Sequence, residues 1–283
     1  MLTSNIKSLK NIVNILYGFS YDDTPQNIMM WYDNYKIIDN QIIVKVKRGD
    51  NNVYKLPIGD DFEAGLNYIR KMENCETPVF WQTEGSRLNE FKEKYGNKYC
   101  FVEDRDSFEY IYLRSDLVNL SGKKYHSKRN HIHTFNKNYD WHFESLNDYN
   151  KEKIRKCAFM WYCSKGKSED KTLFVEKKNI DLLLDNYKEL NIKGGCIVVN
   201  EKVVAFSLGY QINDQVFDVC IEKALPEYIG AYCVINREFA KALDCKFINR
   251  EEDLGIEGLR KSKLSYYPIF LVKKYYCYPK NSI

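Results

Sequence analysis

The chain has 283 residues, of which 44% are hydrophobic and 29% charged, a composition typical of globular rather than disordered proteins. Its formal net charge of +4 is too small for the whole surface to bind nucleic acid, so any such site must be local. The nine cysteines are scattered and odd in number, which argues against a disulfide framework in a chain of this length. We therefore expect a cytoplasmic protein with free thiols and no signal sequence. No run approaches the roughly 20 apolar residues of a membrane helix, so we expect no integral membrane segment.

The first half of the chain alternates between helical and strand-like patterns. Helices are predicted at 6–17, at 25–30 after the cap Asp23-Thr24, at 62–72 and at 86–95. Strands are predicted at 35–57, 79–82, 99–103 and 108–113. Turn residues at Asp39-Asn40 and at 49–51 divide the first of these regions into antiparallel strands.

The run SGKKYHSKRNHIHTF, at 121–135, is rich in basic residues. It is part of a longer stretch that is predicted to be helical from Ser115. His131 and His133 project about 200° apart on a helix and cannot share a metal, so we expect no metal site. No acidic residue lies between 121 and 138, which favours an anionic partner bearing phosphate, such as RNA. A solvated helix face is the alternative. The predicted RNA or anion patch consists of Lys123, Lys124, His126, Lys128 and Arg129. A strand is predicted at 141–145.

The second half repeats this order of elements. Helices are predicted at 150–163, 175–190, 231–243 and 255–264, and strands at 195–200, 202–211, 215–221, 246–249 and 269–276. Each half thus has helices, then a meander of strands, then alternating helices and strands. The sequence therefore predicts an α+β protein with two similar domains at 1–145 and 146–283, each a mixed, mainly antiparallel sheet flanked by helices.

Two places in the second half combine charge with strand ends. Glu222 follows the predicted strand 215–221, where partial burial would raise its pKa and let it accept a proton from an attacking amine. Arg250 and Asp253 follow strand 246–249, and the next helix begins at glycines whose free N–H groups can bind an anion. Arg260 and Lys263 share one face of that helix and could hold a phosphate pair. A salt-bridged surface helix is the alternative.

Three runs carry a resemblance to a known family: YLRSDLVNLSGKKYHSKRNHIHTF, EKALPEYIGAYCVINREFA and NREEDLGIEGLRKSKLSYYP. They resemble soluble bacterial members of the phosphatidylglycerol lysyltransferase C-terminal-like family, over most of the chain. The resemblance implies two tandem GNAT (acyl-CoA N-acyltransferase)-like domains, as in the aminoacyl-tRNA-dependent transferases. It also implies that the C-terminal domain holds the reaction, while the N-terminal domain serves as scaffold and substrate cleft.

In the acetyl-CoA-using branch of this fold, a loop of the type Arg/Gln-x-x-Gly-x-Gly/Ala binds the CoA pyrophosphate. The resemblance places that loop at 227–232. Here Glu227 replaces the arginine or glutamine and the bulky Tyr232 replaces the last small residue, changes that disfavour a pyrophosphate.

We therefore predict an acyltransferase that moves an aminoacyl group from aminoacyl-tRNA to an amine or hydroxyl of a small molecule, peptide or lipid, without a further cofactor. The predicted catalytic residues are Glu222 or Asp253 as proton acceptor and Tyr266 as hydrogen-bond donor. The predicted donor- or phosphate-binding residues are Arg250, Arg260, Lys263, Gly255, Gly258 and Gly230. The alternatives are an N-acyltransferase that uses acyl-CoA and a non-catalytic binding module.

Overall fold

The structure, a computed structural model, describes Leu9 and residues 18–32, 34–48, 51–166 and 171–280. The predicted helix at 6–17 lies outside these residues except for Leu9, as do residues 49 and 50 of one predicted turn.

The described residues form nine α-helices and thirteen strands. The helices are α1 (Pro25–Trp31), α2 (Phe62–Glu73), α3 (Ser86–Tyr95), α4 (Arg114–Asn119), α5 (His126–Asn138), α6 (Lys151–Ser164), α7 (Lys171–Asp185), α8 (Ala231–Ala242) and α9 (Glu257–Leu264). The strands are β1 (Tyr35–Ile38), β2 (Gln41–Arg48), β3 (Asn51–Tyr54), β4 (Phe80–Thr83), β5 (Tyr99–Glu103), β6 (Glu109–Leu113), β7 (Trp141–Ser145), β8 (Ile192–Val199), β9 (Lys202–Gln211), β10 (Val216–Ala224), β11 (Phe247–Asn249), β12 (Phe270–Val272) and β13 (Lys274–Pro279).

Local chemistry explains several of these boundaries. Thr24 caps α1 by accepting a hydrogen bond from the backbone N–H of Asn27 at 3.2 Å, and Pro25 takes the first helical position, where no N–H is needed. Asp39 and Asn40 connect β1 to β2 with φ of 45° and 61°, the left-handed pair that a tight hairpin turn requires.

The first unit contains the described residues up to Tyr110, Glu252–Lys263 and the described residues from Phe270 onward. Its sheet has the order β1-β2-β3-β4-β13-β5 and is antiparallel except between β3 and β4. Aromatic rings fill its core, with Phe91 in edge contact with Phe80 and Tyr99.

A buried ionic network also lies inside the first unit. Lys274 on β13 is fully buried and contacts Asp22 at 3.0 Å and Glu109 at 3.1 Å. Lys55, also fully buried, contacts Asp22 at 3.1 Å. These charges compensate one another, as charges removed from water must.

The second unit contains Ile111–Glu251 and Leu264–Ile269. Within it the strands follow the order β6-β11-β10-β9-β8-β7, antiparallel except between β10 and β11. The parallel pairing of β10 with β11 extends from Val216 only to Asp218. The register of β10 against β9 shifts between Asp218 and Ile221, a bulge of the kind that redirects side chains.

The predicted α+β class is confirmed: two mainly antiparallel sheets are flanked by helices. The predicted boundary between 145 and 146 falls inside the second unit, because β6 pairs with β11 and β7 pairs with β8. The last strand, β13, returns to pair between β4 and β5 of the first unit. The last predicted strand is two strands, β12 and β13. The basic stretch is not one helix, since Leu120 and Gly122 adopt φ of 48° and 83° between α4 and α5.

Candidate functional site

Glu222 and Arg250 come together where β10 and β11 no longer pair. Glu222 lies near the end of β10, and Arg250 directly follows β11. The Arg250 Nη2 donates a hydrogen bond of 2.8 Å to Glu222 Oε1, and each side chain is 11% exposed. A charged pair shielded in this way keeps a small opening to solvent, which suits a group that must meet a substrate.

The second carboxylate oxygen of Glu222 is also bound. It accepts a hydrogen bond from Asn236 Nδ2 of α8 at 3.2 Å and from Ser207 Oγ of β9 at 3.4 Å. Donors from three elements therefore fix the orientation of the carboxylate, a form of preorganisation that a reacting group needs.

Tyr266 lies against the same arginine. The Arg250 guanidinium carbon is 5.1 Å from the ring centroid of Tyr266, and the Tyr266 hydroxyl donates to Cys233 Sγ at 3.5 Å. Burial raises the pKa of Tyr266 well above its usual value, and the neighbouring Cys233 adds to this. The phenol therefore stays protonated, and its one proton lies on the weak acceptor Cys233 Sγ, from which it must turn to donate to a substrate.

Lys128 of α5 completes the cluster. Its ammonium lies 4.1 Å from the ring centroid of Tyr266, and its side chain is half-buried. Burial lowers the pKa of Lys128, and the nearby Arg250 lowers it further, while Cys233 and Glu222 oppose the shift. In the part of the chain that the structure describes, this ammonium forms no hydrogen bond or ion pair, and its contact in the cluster is with the Tyr266 ring.

The loop before α8 has a packing role that the sequence did not reveal. Gly230 has φ of 94°, and a Cβ built on it would lie 2.4 Å from the backbone oxygen of His131 in α5. Glu227 pairs with Lys202 at 3.5 Å, and the Tyr232 hydroxyl accepts a hydrogen bond from Trp161. A helix of the chain itself thus covers the glycine that was predicted to hold a phosphate.

Asp253 lies in the first unit, in a tightly bonded arrangement. It is fully buried and accepts hydrogen bonds from Arg260 Nη2 at 2.8 Å, from Tyr110 at 2.5 Å and from the Gly255 N–H at 2.9 Å. Burial by itself would raise the pKa of Asp253, but the bonds from Arg260 and Tyr110 lower it to about 2. A carboxylate that is so weak a base is poorly suited to accept a proton. The role of Asp253 as proton acceptor stays a prediction.

The predicted phosphate pair Arg260 and Lys263 is directed toward the protein. Arg260 donates to Asp253 and, at 2.7 Å, to Asp106 Oδ1. Lys263 is 8% exposed and donates to the backbone oxygen of Glu252. The Gly255 N–H is bound to Asp253, whereas the space around Gly258 is open. Phosphate binding at these residues remains untested.

The residues of the predicted basic patch differ in their exposure and in their contacts. Lys123, Lys124, His126 and Arg129 are exposed, in contrast to the half-buried Lys128. Arg129 donates to the backbone oxygens of Leu120 and, at 2.8 Å, of Gly122, so it fixes the break between α4 and α5. Among the described residues, no three His, Cys, Asp or Glu side chains are grouped to hold a metal ion.

The predicted site residues thus belong to two units. Glu222, Arg250, Tyr266, Gly230 and the basic patch lie in the second, and Asp253, Gly255, Gly258, Arg260 and Lys263 in the first. Sequence reasoning did not find Ser207, Cys233 or Asn236. The sequence could have indicated Asn236, because it places an amide among the apolar residues on the buried face of α8.

The fold matches that of known structures and defines a protein with two GNAT-like units in tandem. A conserved protein of unknown function from Bacteroides thetaiotaomicron is 32% identical and superposes with a TM-score of 0.85, over 98% of this chain and 97% of that one. L-PGS of Bacillus licheniformis is 16% identical with a TM-score of 0.63, over 97% and 92% of the two chains. FemX is 8% identical with a TM-score of 0.56, over 100% and 96%.

The family follows from the sequence match. The family model described as phosphatidylglycerol lysyltransferase, C-terminal, matches residues 15–278. The chain belongs to this family, as the three quoted runs predicted. In the residues that the structure describes, every helix is too short or too polar to cross a membrane.

Proposed function

We propose that this protein is an acyltransferase that takes an aminoacyl group from aminoacyl-tRNA and gives it to an amine or hydroxyl acceptor. The observation that carries the proposal is the cluster of Glu222, Arg250, Tyr266 and Lys128 at the end of the β10–β11 pairing. Family membership supports the reaction class. The cluster combines a fixed carboxylate with hydrogen-bond donors and positive charge, as acyl transfer from an ester requires.

Glu222, Arg250 and Tyr266 each have a role in the reaction. The amine or hydroxyl of the acceptor attacks the ester carbonyl, and the proton that it loses passes to Glu222. Arg250 and the protonated Tyr266 donate hydrogen bonds to the oxyanion that forms on the carbonyl oxygen. The bond to the terminal ribose then breaks, and the ribose oxygen takes up a proton as the tRNA leaves. Because the donor is already an activated ester, catalysis depends mainly on positioning the donor and the acceptor and on one proton transfer.

Glu222 suits the proton acceptor better than Asp253. Asp253 is fully buried, and its pKa of about 2 leaves little driving force for taking a proton. Glu222 keeps 11% of its side chain exposed and lies in the same unit as Arg250 and Tyr266.

The loop at 227–232 supports a donor other than acyl-CoA. A pyrophosphate at the start of α8 would need open backbone N–H groups. At that place the backbone of α5 packs on Gly230, and Glu227 adds a negative charge. These contacts disfavour the N-acyltransferase alternative.

The test measures transfer from a donor pool labelled in the amino acid. Mixed [14C]aminoacyl-tRNA is incubated with the protein and with phosphatidylglycerol vesicles, polyamines or dipeptides, and label is followed from tRNA to acceptor. We expect Glu222→Gln to lower the rate roughly 10²- to 10⁴-fold. The control is Glu201→Gln, a carboxylate in the same unit whose side chain is 90% exposed, which should transfer at the wild-type rate. Full activity of the Glu222→Gln variant removes Glu222 from the mechanism, and transfer from acetyl-CoA alone replaces the proposed donor.

A further inference from the structure

Two adjacent tyrosines of the second unit face different surroundings. Tyr266 is 4% exposed, whereas Tyr267 is 45% exposed. Tyr125 fixes both, because its hydroxyl donates to the Tyr266 backbone oxygen at 3.0 Å and its ring meets that of Tyr267 edge to face, with centroids 5.5 Å apart. Tyr267 thus presents an exposed ring from a fixed position.

The backbone of Tyr267 is held in an unusual conformation. Its φ is 54°, and its N–H donates to the Leu264 backbone oxygen at 2.9 Å. A left-handed backbone is unfavourable for tyrosine, because its Cβ crowds the following carbonyl oxygen. The surrounding contacts therefore hold both the backbone and the ring of Tyr267 in place.

Two lysines accompany these rings. The Lys124 ammonium lies 5.3 Å from the Tyr267 ring centroid, and the Lys128 ammonium lies 4.1 Å from that of Tyr266. Among the described residues, Lys124 has one loose ion pair, with Asp116 at 3.9 Å, and Lys128 has no ion pair or hydrogen bond. An exposed flat ring with one ammonium against it, and a second ammonium against the ring of the preceding residue, offers stacking and positive charge to a base and its phosphate.

We propose that Tyr267, Lys124 and Lys128 bind the nucleotide at the acylated end of the donor. The base stacks on Tyr267, and the two ammonium groups contact the phosphate. Lys128 shares the Tyr266 ring with Arg250, so the ribose ester of this nucleotide faces Glu222 and Arg250. The inference rests on the proposed function and names the part of the donor that the second unit recognises.

The same geometry leaves Arg129, a member of the predicted basic patch, out of the proposed nucleotide site. Arg129 is bound to the backbone oxygens of Leu120 and Gly122, so its guanidinium is committed to the fold. Lys137, in the last turn of α5, is exposed and lies nine residues after Lys128. It therefore provides a matched control on the same helix.

Adenine nucleotides terminate both tRNA and CoA, so the test compares the two sources. Binding of the trinucleotide 5′-CCA-3′ and of CoA is measured by calorimetry at several salt concentrations. We expect CCA to bind, and Tyr267→Ala to weaken it roughly 5- to 100-fold, the usual loss for one stacked base. Tyr267→Phe should retain binding. Lys124→Met and Lys128→Met should each reduce the salt slope by about 0.7, whereas Lys137→Met should leave it unchanged. Melting temperatures of the variants verify that they fold.

The possible results distinguish a failure of the proposed nucleotide site from a failure of the proposed aminoacyl transfer. Equal binding of CCA by the wild type and by Tyr267→Ala overturns the nucleotide site while leaving aminoacyl transfer open. Tighter binding of CoA than of CCA, lost in Tyr267→Ala, supports the site but overturns tRNA as the donor. If the wild type binds neither probe, the site does not bind nucleotides and the inference fails.

Discussion

Arg250 donates a hydrogen bond of 2.8 Å to Glu222, beyond the last parallel pair of their two strands, Asp218 with Asn249. The pair therefore spans the region where β10 and β11 separate. The carboxylate and the guanidinium are joined there by a side-chain hydrogen bond, at a point where no strand pairing between β10 and β11 is present.

This relationship predicts a non-additive effect on catalysis. Arg250→Met should lower kcat/KM of transfer roughly 10²- to 10³-fold, the usual cost of one donor to an oxyanion. It should also release Glu222 from its fixed orientation, so the double variant Glu222→Gln/Arg250→Met should be little worse than the more severe single variant. Steady-state rates of the four proteins give the coupling. If the two effects simply multiply, the residues act independently.

Asp253 predicts a stability effect with a defined pH dependence. The pKa of Asp253 falls from its ordinary 3.8 to about 2 in the fold. A depressed carboxyl pKa adds stability above the unfolded value, and this stability is lost as the pH falls through the folded value. Asp253→Asn should therefore cost roughly 1–2 kcal/mol at neutral pH, and its difference from the wild type should shrink between about pH 4 and pH 2.

Urea unfolding at several pH values measures this difference. The control is Asp106→Asn, since Asp106 also pairs with Arg260 but is 62% exposed, and exposed pairs contribute at most about 1 kcal/mol. A pH-independent difference between wild type and Asp253→Asn contradicts the assignment.

The elements were predictable where the pattern is local. The predicted bounds of α3, β5, β7 and β9 match the structure, because alternation, helical spacing and turn residues fix each of them from nearby sequence. The position of β13 was not predictable in this way. It pairs with β4 and β5, and a contact between residues so distant in sequence leaves no periodic signal.

The site was predictable in its parts but not in its assembly. Glu222 and Arg250 were found separately, as charges after strands, whereas their hydrogen bond depends on the position of β10 beside β11 in the sheet. Asp253 was predicted as a base because sequence does not reveal that Arg260 and Tyr110 bind it. Lys128 was assigned to the patch with its neighbours, since only the direction of its side chain toward Tyr266 distinguishes it.

The buried network of the first unit predicts a large difference between two adjacent lysines. Lys274→Met leaves Asp22 and Glu109 without their shared cation in a buried site, which typically costs 3–5 kcal/mol, so we expect a loss of about that size. Lys273→Met removes a cation that is 43% exposed and pairs with Glu103, so it should cost less than about 1 kcal/mol. Chemical denaturation at neutral pH compares the two. Similar losses in both variants would mean that the network is not coupled to folding.

Two glycines predicted to bind phosphate should respond oppositely to alanine. Gly230→Ala introduces a Cβ 2.4 Å from the His131 backbone oxygen at a φ of 94°, and the left-handed backbone alone costs roughly 1–2 kcal/mol. Gly258 lies near the start of α9, and a Cβ there meets nothing within 4 Å. Gly258→Ala should therefore stabilise the protein by up to about 1 kcal/mol. Because the proposed nucleotide site lies in the second unit, Gly258→Ala should also bind aminoacyl-tRNA as the wild type does. Weaker binding of aminoacyl-tRNA by this stabilised variant would instead support the sequence-based prediction that Gly258 is part of the donor site.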